Sequence, residues 1–102
     1  TTLAFMLYGG HGAISVTSNI APKLCSSFMN NCMQNNYEEA SRINDILMPL
    51  HSALFIESSP GPVKYAASKL NLCEDEVRLP LINISEETKA IVDKALKHAS
   101  LL

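Results

Sequence analysis

The chain contains three histidines, the side chains most often used for acid–base catalysis and for binding transition metals. His11 lies between glycines, His51 follows a proline by two residues, and His98 is near the end of the chain. No two of them are four residues apart, the spacing that brings two metal ligands to one helix face. We therefore expect each histidine to be structural or solvent-exposed, and we expect no metal site.

Glycines and serines are the second group of candidates. Gly9, Gly10 and Gly12 could form a weak phosphate cradle, but they precede a predicted strand, whereas a dinucleotide-binding loop follows one. The Gly-x-Ser-x-Gly motif of hydrolase nucleophiles does not occur. Ser15 lies between two β-branched residues and is interpreted as a buried strand hydroxyl.

The lysines could form a Schiff base with a carbonyl substrate if burial or a neighbouring cation lowered the pKa of an amine. Lys23 lies in the first turn of the helix that follows the predicted strand. The other five fall on predicted helices: Lys64, Lys69, Lys89, Lys94 and Lys97. Because none lies within an apolar strand, the sequence predicts no covalent nucleophile and no catalytic residue in this chain.

Composition and charge are those of an ordinary globular protein. Of the 102 residues, 47% are hydrophobic and 18% are charged, and the formal net charge is -2. No cluster of lysines and arginines suggests nucleic-acid binding, and no apolar run approaches the roughly 20 residues of a membrane span. Three widely spaced cysteines fit neither a disulfide framework nor a zinc site. We therefore expect reduced thiols in a cytoplasmic protein.

The first third of the chain predicts three short elements. Residues 2–8 are apolar and helix-compatible, and Gly9 and Gly10 are expected to end that helix. Residues 12–16 are small or β-branched and predict one buried strand. Residues 20–34 predict a helix with Leu24, Phe28 and Met33 near one face. No second strand of this kind follows, so the chain resembles one end of a larger fold.

The rest of the chain predicts helices. Asn36 is expected to begin a helix in a capping box with Glu39, and Pro49 is expected to kink that helix without ending it. Its apolar side chains recur every three or four residues: Ala40, Ile43, Ile46, Leu47, Leu50 and Leu54.

Two further helices complete the prediction. Ser59 is expected to cap a helix that begins at Pro60 and includes residues 63–72. Residues 75–84 are expected to be extended. Ser85 is expected to cap the last helix, with acidic residues in its first turn and basic residues in its last turn. Glu57 and Arg78 are candidates for a structural ion pair.

Five blocks of sequence, in order along the chain, are similar to one enzyme family. They are G-G-H-G-A-I-S-V-T-S-N-I-A-P-K from residue 9, L-M-P-L-H from residue 47, L-F-I-E from residue 54, P-V-K from residue 62 and R-L-P-L from residue 78. Over essentially the whole of its length, the chain resembles the C-terminal third of the dihydrodipicolinate synthases (4-hydroxy-tetrahydrodipicolinate synthases).

The resemblance implies a fold that is mainly α in this chain. Residues 1–35 would form the end of a (β/α)8 TIM barrel: the end of helix seven, the last barrel strand and the last barrel helix. Residues 36–102 would form a C-terminal helical domain. The parent enzyme would be a class I aldolase-type lyase without a cofactor. It would condense pyruvate with L-aspartate 4-semialdehyde through a lysine Schiff base, in the diaminopimelate pathway of lysine biosynthesis.

The resemblance carries over few site residues. The backbone of Ile14 matches an isoleucine that borders the pyruvate pocket, which agrees with the position of active sites at the C-terminal ends of barrel strands. Leu7 and Tyr8 match positions near a subunit contact of a homotetramer. The Schiff-base lysine, the proton-relaying tyrosines, the carboxylate-binding arginine and the feedback lysine site would all precede Thr1. This chain alone is therefore predicted to be inactive.

A second hypothesis belongs to a different functional class. The chain would be an autonomous helical module that self-associates or binds a partner without catalysis. An exposed strand edge and uncovered apolar faces would favour such association.

Overall fold

Five α-helices and one 3₁₀ turn form the regular structure of this chain, described here over residues 1–102 in a computed structural model. The helices are α1 (Thr2–Leu7), α2 (Pro22–Met33), α3 (Tyr37–Ala53), α4 (Gly61–Lys69) and α5 (Glu86–His98), and the 3₁₀ turn is Thr17–Asn19. The mainly α prediction is confirmed. None of the helices has both the length and the apolar character that crossing a membrane requires.

The strand predicted over residues 12–16 is wrong. Residues 11–15 have no regular structure, and Val16 precedes the 3₁₀ turn as its N-cap. A strand is stabilised by hydrogen bonds to a neighbouring strand, and this chain has no other strand to provide them. The β propensity of these residues is therefore not sufficient to form a strand here.

Four of the five helices end in the same type of turn, in which a residue with positive φ reverses the chain. These residues are Gly9 (φ 99), Asn35 (φ 60), Asn71 (φ 61) and Ser100 (φ 58). The amide that follows each one donates to a carbonyl five residues earlier, in the pairs Gly10–Phe5, Asn36–Asn31, Leu72–Ala67 and Leu101–Leu96. The predicted end of α1 at the glycines is confirmed, but the other three turns use residues that have a side chain.

The observed starts of the helices agree less well with the predictions than their ends do. Ser85 caps α5 as predicted, since its hydroxyl accepts a hydrogen bond from the backbone nitrogen of Thr88 at 3.2 Å. Asn36 is the N-cap of α3 as predicted, but the capping box is wrong, because its side chain makes no cap hydrogen bond and its backbone amide donates to the carbonyl of Asn31 at 2.8 Å rather than to Glu39. The predicted Ser59 cap is also wrong, since α4 begins at Gly61 without a side-chain cap.

One hydrophobic core extends from α1 to the residues after α5. Helix α2 packs against α3, and α5 packs against both α3 and α4. The predicted apolar stripe of α3 lies in this core, and α3 continues past Pro49 to Ala53 as predicted. Met33, predicted near the same helix face as Leu24 and Phe28, is the last residue of α2 and is 62% exposed. The largest fully buried side chains are those of Ile43, Leu47, Leu50, Leu54 and Leu96.

Residues 70–85 connect α4 to α5 without a helix or a strand, with turns at residues 70–71 and 79–80. Leu79 and Ile82 in this connection are 85% and 75% exposed. The connection therefore adds little to the core, apart from Leu70 at its start and Ile84 near its end.

Candidate functional site

Two neighbouring cavities open beside residues 13–18, which lead from α1 to α2. The first, of about 270 Å³, is lined by this segment, α2 and α3. The second, of about 420 Å³, is lined by the segment, the start of α1 and α3. Three residues line both cavities: Thr2, Ser15 and His51. The segment and His51 therefore form the wall between the two cavities.

Local hydrogen bonds fold the segment into a turn. The Ser18 hydroxyl donates to the carbonyl oxygen of Ser15 at 2.7 Å, and the Ser18 amide donates to the Ser15 hydroxyl at 3.2 Å. The side chain of Asn19 donates to the carbonyl of Val16 at 3.0 Å. The interpretation of Ser15 as a strand hydroxyl is wrong, because its polar atoms hold the turn that leads into the 3₁₀ element.

One side-chain hydrogen bond joins this turn to α3. The hydroxyl of Thr17 lies 2.7 Å from Nδ1 of His51, and Thr17 is only 1% exposed. Burial lowers the pKa of His51. The neutral imidazole is therefore favoured, with one ring nitrogen as a donor and the other as an acceptor.

Ile14, the predicted pocket residue, lies on the wall of the second cavity. Its side chain is fully exposed, and the backbone amides of residues 12–14 make no hydrogen bond within the chain. The structure therefore brings Ile14, Ser15 and His51 to one cavity. Leu7 and Tyr8, predicted near a subunit contact, are 55% and 93% exposed at the end of α1.

The other candidate residues lie apart from these cavities. His11 and His98 are exposed, and no group of three or more histidine, cysteine or acidic side chains could hold a metal ion. None of the lysines is buried. The Lys89 amine lies 3.0 Å from the Glu86 carboxylate, and this hydrogen bond raises the pKa of Lys89. A Schiff-base lysine needs the opposite shift.

Polar contacts also anchor α5. The predicted ion pair between Glu57 and Arg78 is wrong, because the Glu57 carboxylate instead accepts a hydrogen bond from the backbone nitrogen of Ser85 at 3.0 Å. The hydroxyl of Tyr65 on α4 donates to Asp93 on α5 at 3.0 Å. Burial and the neighbouring Asp93 carboxylate raise the pKa of Tyr65 to about 12. These contacts have a structural role and lie outside the two cavities.

Comparison with known sequences decides the family. Residues 1–99 match the sequence model of the Dihydrodipicolinate synthetase family. This chain belongs to that family. It is 52% identical over 102 residues to the 4-hydroxy-tetrahydrodipicolinate synthase of Bartonella tribocorum, and this match covers 100% of the chain and 35% of the Bartonella enzyme. The resemblance seen in the five sequence blocks is confirmed.

Solved structures of dihydrodipicolinate synthases contain the same arrangement of helices. The enzyme from Thermotoga maritima superposes with a TM-score of 0.95 at 39% identity, over 99% of this chain and 34% of that enzyme. A chloride-inhibited enzyme from Acinetobacter baumannii, complexed with pyruvate, superposes with a TM-score of 0.92 at 37% identity, over 98% of this chain and 34% of that enzyme. The chain thus spans about a third of the length of the family members it matches.

The pairing of Thr17 with His51 is the feature of the site that sequence reasoning missed. The two residues are 34 positions apart, so no local spacing rule connects them. Thr17 falls in the first of the five sequence blocks and His51 in the second. That both residues lie in blocks similar to the family is the only signal in the sequence that points to the pair.

Proposed function

We propose that this chain is the C-terminal third of a 4-hydroxy-tetrahydrodipicolinate synthase. The family match over residues 1–99 is the observation that carries this proposal. In the proposed enzyme, residues 1–35 complete the (β/α)8 barrel and residues 36–102 form the C-terminal helical domain. The whole enzyme condenses pyruvate with L-aspartate 4-semialdehyde through a lysine Schiff base, in the cytoplasm, as a step of lysine biosynthesis.

The large accessible surface of the chain supports the proposal that it is part of a larger fold. Its accessible surface is 6536 Å², whereas a folded monomer of this mass exposes about 5,700 Å². The excess, roughly 800–900 Å², is close to what one partner buries in a stable protein interface. Exposed apolar side chains at Phe5 and Ile14 contribute to this excess. We propose that the remainder of the barrel covers them.

In the completed barrel, we propose that the backbone of Ile14 borders pyruvate. Active sites of such barrels lie at the C-terminal ends of the strands, and Ile14 belongs to the segment that would be the last strand. Its exposed position on the 420 Å³ cavity leaves the surrounding backbone accessible to a ligand. The unpaired amides of residues 12–14 would then pair with a neighbouring strand or with substrate.

The amine that reacts with pyruvate comes from the rest of the enzyme in this proposal. A Schiff-base lysine must lose its proton near neutral pH, which requires burial or a neighbouring cation. In this chain the lysines are exposed or half-buried, and the pKa of Lys89 is raised by Glu86. The chain alone is therefore expected to leave pyruvate unmodified.

A chimera tests the proposal directly. This chain would replace the matching third of the Bartonella tribocorum enzyme, to which it is 52% identical. We expect the chimera to turn over pyruvate with aspartate semialdehyde, and to gain a pyruvyl adduct upon borohydride reduction. The 102-residue chain treated in the same way should gain no mass. A folded chimera without turnover, or a pyruvyl adduct on this chain alone, would contradict the proposal.

Association through α1 is a second proposal, favoured by the exposure of Leu7 and Tyr8. In the whole enzyme these residues would lie near a subunit contact of the homotetramer. The same surface would serve the alternative function, that of a self-associating module without catalysis. Light scattering of the chain and of its Leu7→Glu variant tests both ideas. Association that this variant weakens supports the contact, whereas a monomeric unmodified chain excludes the self-associating module.

A further inference from the structure

We propose that His51 is a positioning residue, which holds the pyruvate-binding segment in place through Thr17. This inference rests on the proposed function, because it takes the backbone of Ile14 as a border of the pyruvate pocket. It adds to that function a role for the C-terminal helical domain, since His51 belongs to α3. The domain would then act on the site as well as stabilise the barrel.

The argument begins with the way the segment is attached. Apart from the contact to His51, the polar contacts of residues 13–18 link residues three or four positions apart. Such local contacts define the shape of the turn, and packing of the 3₁₀ element against α2 and α4 seats it on the core. The bond from the Thr17 hydroxyl to Nδ1 of His51 is the hydrogen bond that ties the turn to α3.

Helix α3 is a firm support for this bond. Leu47 and Leu50, which precede His51 by four residues and one residue, are 1% and 0% exposed in the centre of the core. Thr17 itself is 1% exposed, so water has little access to compete for its hydroxyl. If one partner of a bond at such a site is removed, the other partner is left buried without a hydrogen bond, which costs its full desolvation penalty.

The distance along the chain from the bond to the pocket is short. Ile14 is three residues before Thr17, and Ser15 lines both cavities together with His51. A rotation of the turn about its local hydrogen bonds would therefore move the peptide groups of Ile14 and Ser15. Small displacements of a binding group are sufficient to weaken the binding of a small substrate.

Substitutions of His51 can separate the effect of the position of its polar atom from the effect of its side-chain volume. Asparagine places its amide near the position of Nδ1, glutamine places its amide near that of Nε2, and leucine fills the space without a polar atom. At the other partner, Thr17→Ser keeps the hydroxyl and Thr17→Val removes it. Because the bond uses Nδ1, we expect His51→Asn and Thr17→Ser to rescue what His51→Leu, His51→Gln and Thr17→Val disturb.

The first experiment uses the 102-residue chain and needs no activity. Backbone amide chemical shifts of residues 12–16 would be compared by NMR in the unmodified chain and in the His51→Leu, His51→Asn and His98→Leu variants. We expect His51→Leu to shift these resonances and His51→Asn to restore most of them. His98→Leu is the matched control, since His98 is exposed on α5. Unchanged resonances in a folded His51→Leu variant would overturn the proposal.

The second experiment uses the chimera and measures KM for pyruvate separately from kcat. A variant that merely misfolds in part loses active enzyme and therefore kcat, whereas KM is independent of the amount of active enzyme. We expect His51→Leu and Thr17→Val to raise KM for pyruvate about tenfold, with rescue by His51→Asn and Thr17→Ser. A loss confined to kcat would overturn the proposal. An unmodified chimera without turnover would contradict the proposed function instead, while the NMR comparison would still decide the role of His51 in the turn.

Discussion

The carboxylate of Glu57 accepts a hydrogen bond from the backbone nitrogen of Ser85 at 3.0 Å and lies 3.2 Å from the Ser85 hydroxyl. Glu57 follows the end of α3, and Ser85 is the N-cap of α5. The contact joins the ends of two helices and places a negative charge at the positive end of the α5 dipole. Ser85 thus has two functions, because its own oxygen also accepts from the Thr88 amide.

This contact predicts that acid destabilises the chain. The hydroxyl of Thr88 and the backbone amide of Ser85 lower the pKa of Glu57 below its ordinary value of 4.5. Its stabilising contribution is therefore complete above pH 4.5 and is lost as the pH falls through the lowered pKa of the folded state. Urea unfolding followed by circular dichroism between pH 3 and pH 6 measures the change. Glu57→Gln should flatten this dependence, while Glu38→Gln, at an exposed site without a hydrogen bond, should preserve it.

Removal of the Ser85 cap is expected to lower stability by the amount typical of helix N-caps. Ser85→Ala should lower the free energy of unfolding by about 1 kcal/mol, because the Thr88 amide loses its acceptor. Ser85→Gly should cost less, since glycine is tolerated at N-caps. Ser41→Ala is the matched control at an exposed position inside α3, and it should leave stability unchanged or slightly raised. Equal losses at Ser41 and Ser85 would contradict the assigned cap.

Local chemistry explains which parts of the fold the sequence predicts. The Ser85 cap and the apolar stripe of α3 depend on residues a few positions apart, so their spacing is sufficient. The capping box at Asn36 fails because the carbonyl of Asn31, on the preceding helix, accepts the hydrogen bond from the Asn36 backbone amide that Glu39 would otherwise accept. The ion pair of Glu57 with Arg78 fails for a similar reason, since Ser85 supplies a better-placed donor. Competition between partners is not visible in a linear sequence.

The site is less predictable than the fold. Ile14 is proposed as a pocket residue through the family resemblance alone, and no local rule marks it. The Thr17–His51 contact depends on how α3 packs beside the turn, across 34 residues. The residues predicted as a strand need hydrogen-bond partners that this chain does not contain, so their propensity alone misleads. Predictions that depend on long-range packing therefore require the structure.

The Leu50→Ala variant tests the assigned core. Leu50 is 0% exposed, and the neighbouring Met48 is 41% exposed on the same helix. Leu50→Ala should lower the free energy of unfolding by about 2–5 kcal/mol, because it removes apolar contacts and leaves a cavity. Met48→Ala should cost much less, since Met48 is partly in water. Urea titrations of both variants provide the comparison, and a similar cost at the two positions would show that the assigned core is wrong.

The turn after α5 predicts a stabilising substitution. Ser100 has a φ of 58, a left-handed conformation that costs a residue with a side chain roughly 1–2 kcal/mol relative to ordinary helical geometry. Ser100→Gly should remove part of this cost and raise the unfolding free energy by up to about 1 kcal/mol. The same change at Ser41, inside α3, should lower it by about 1 kcal/mol. Thermal unfolding of the two variants should therefore show shifts of opposite sign, and shifts of the same sign would contradict the assigned turn.

Hydrogen exchange tests whether residues 12–14 lack strand partners in this chain. Their amides make no hydrogen bond, so in the 102-residue chain they should exchange at nearly the rate of an unfolded peptide. Amides in the centre of α3 should be protected, because that helix contains the most deeply buried side chains of the core. In the chimera with the Bartonella tribocorum enzyme, a neighbouring strand becomes available, and the same three amides should become protected. Strong protection in the isolated chain would indicate pairing with a second copy, and the dependence of exchange on protein concentration would identify it.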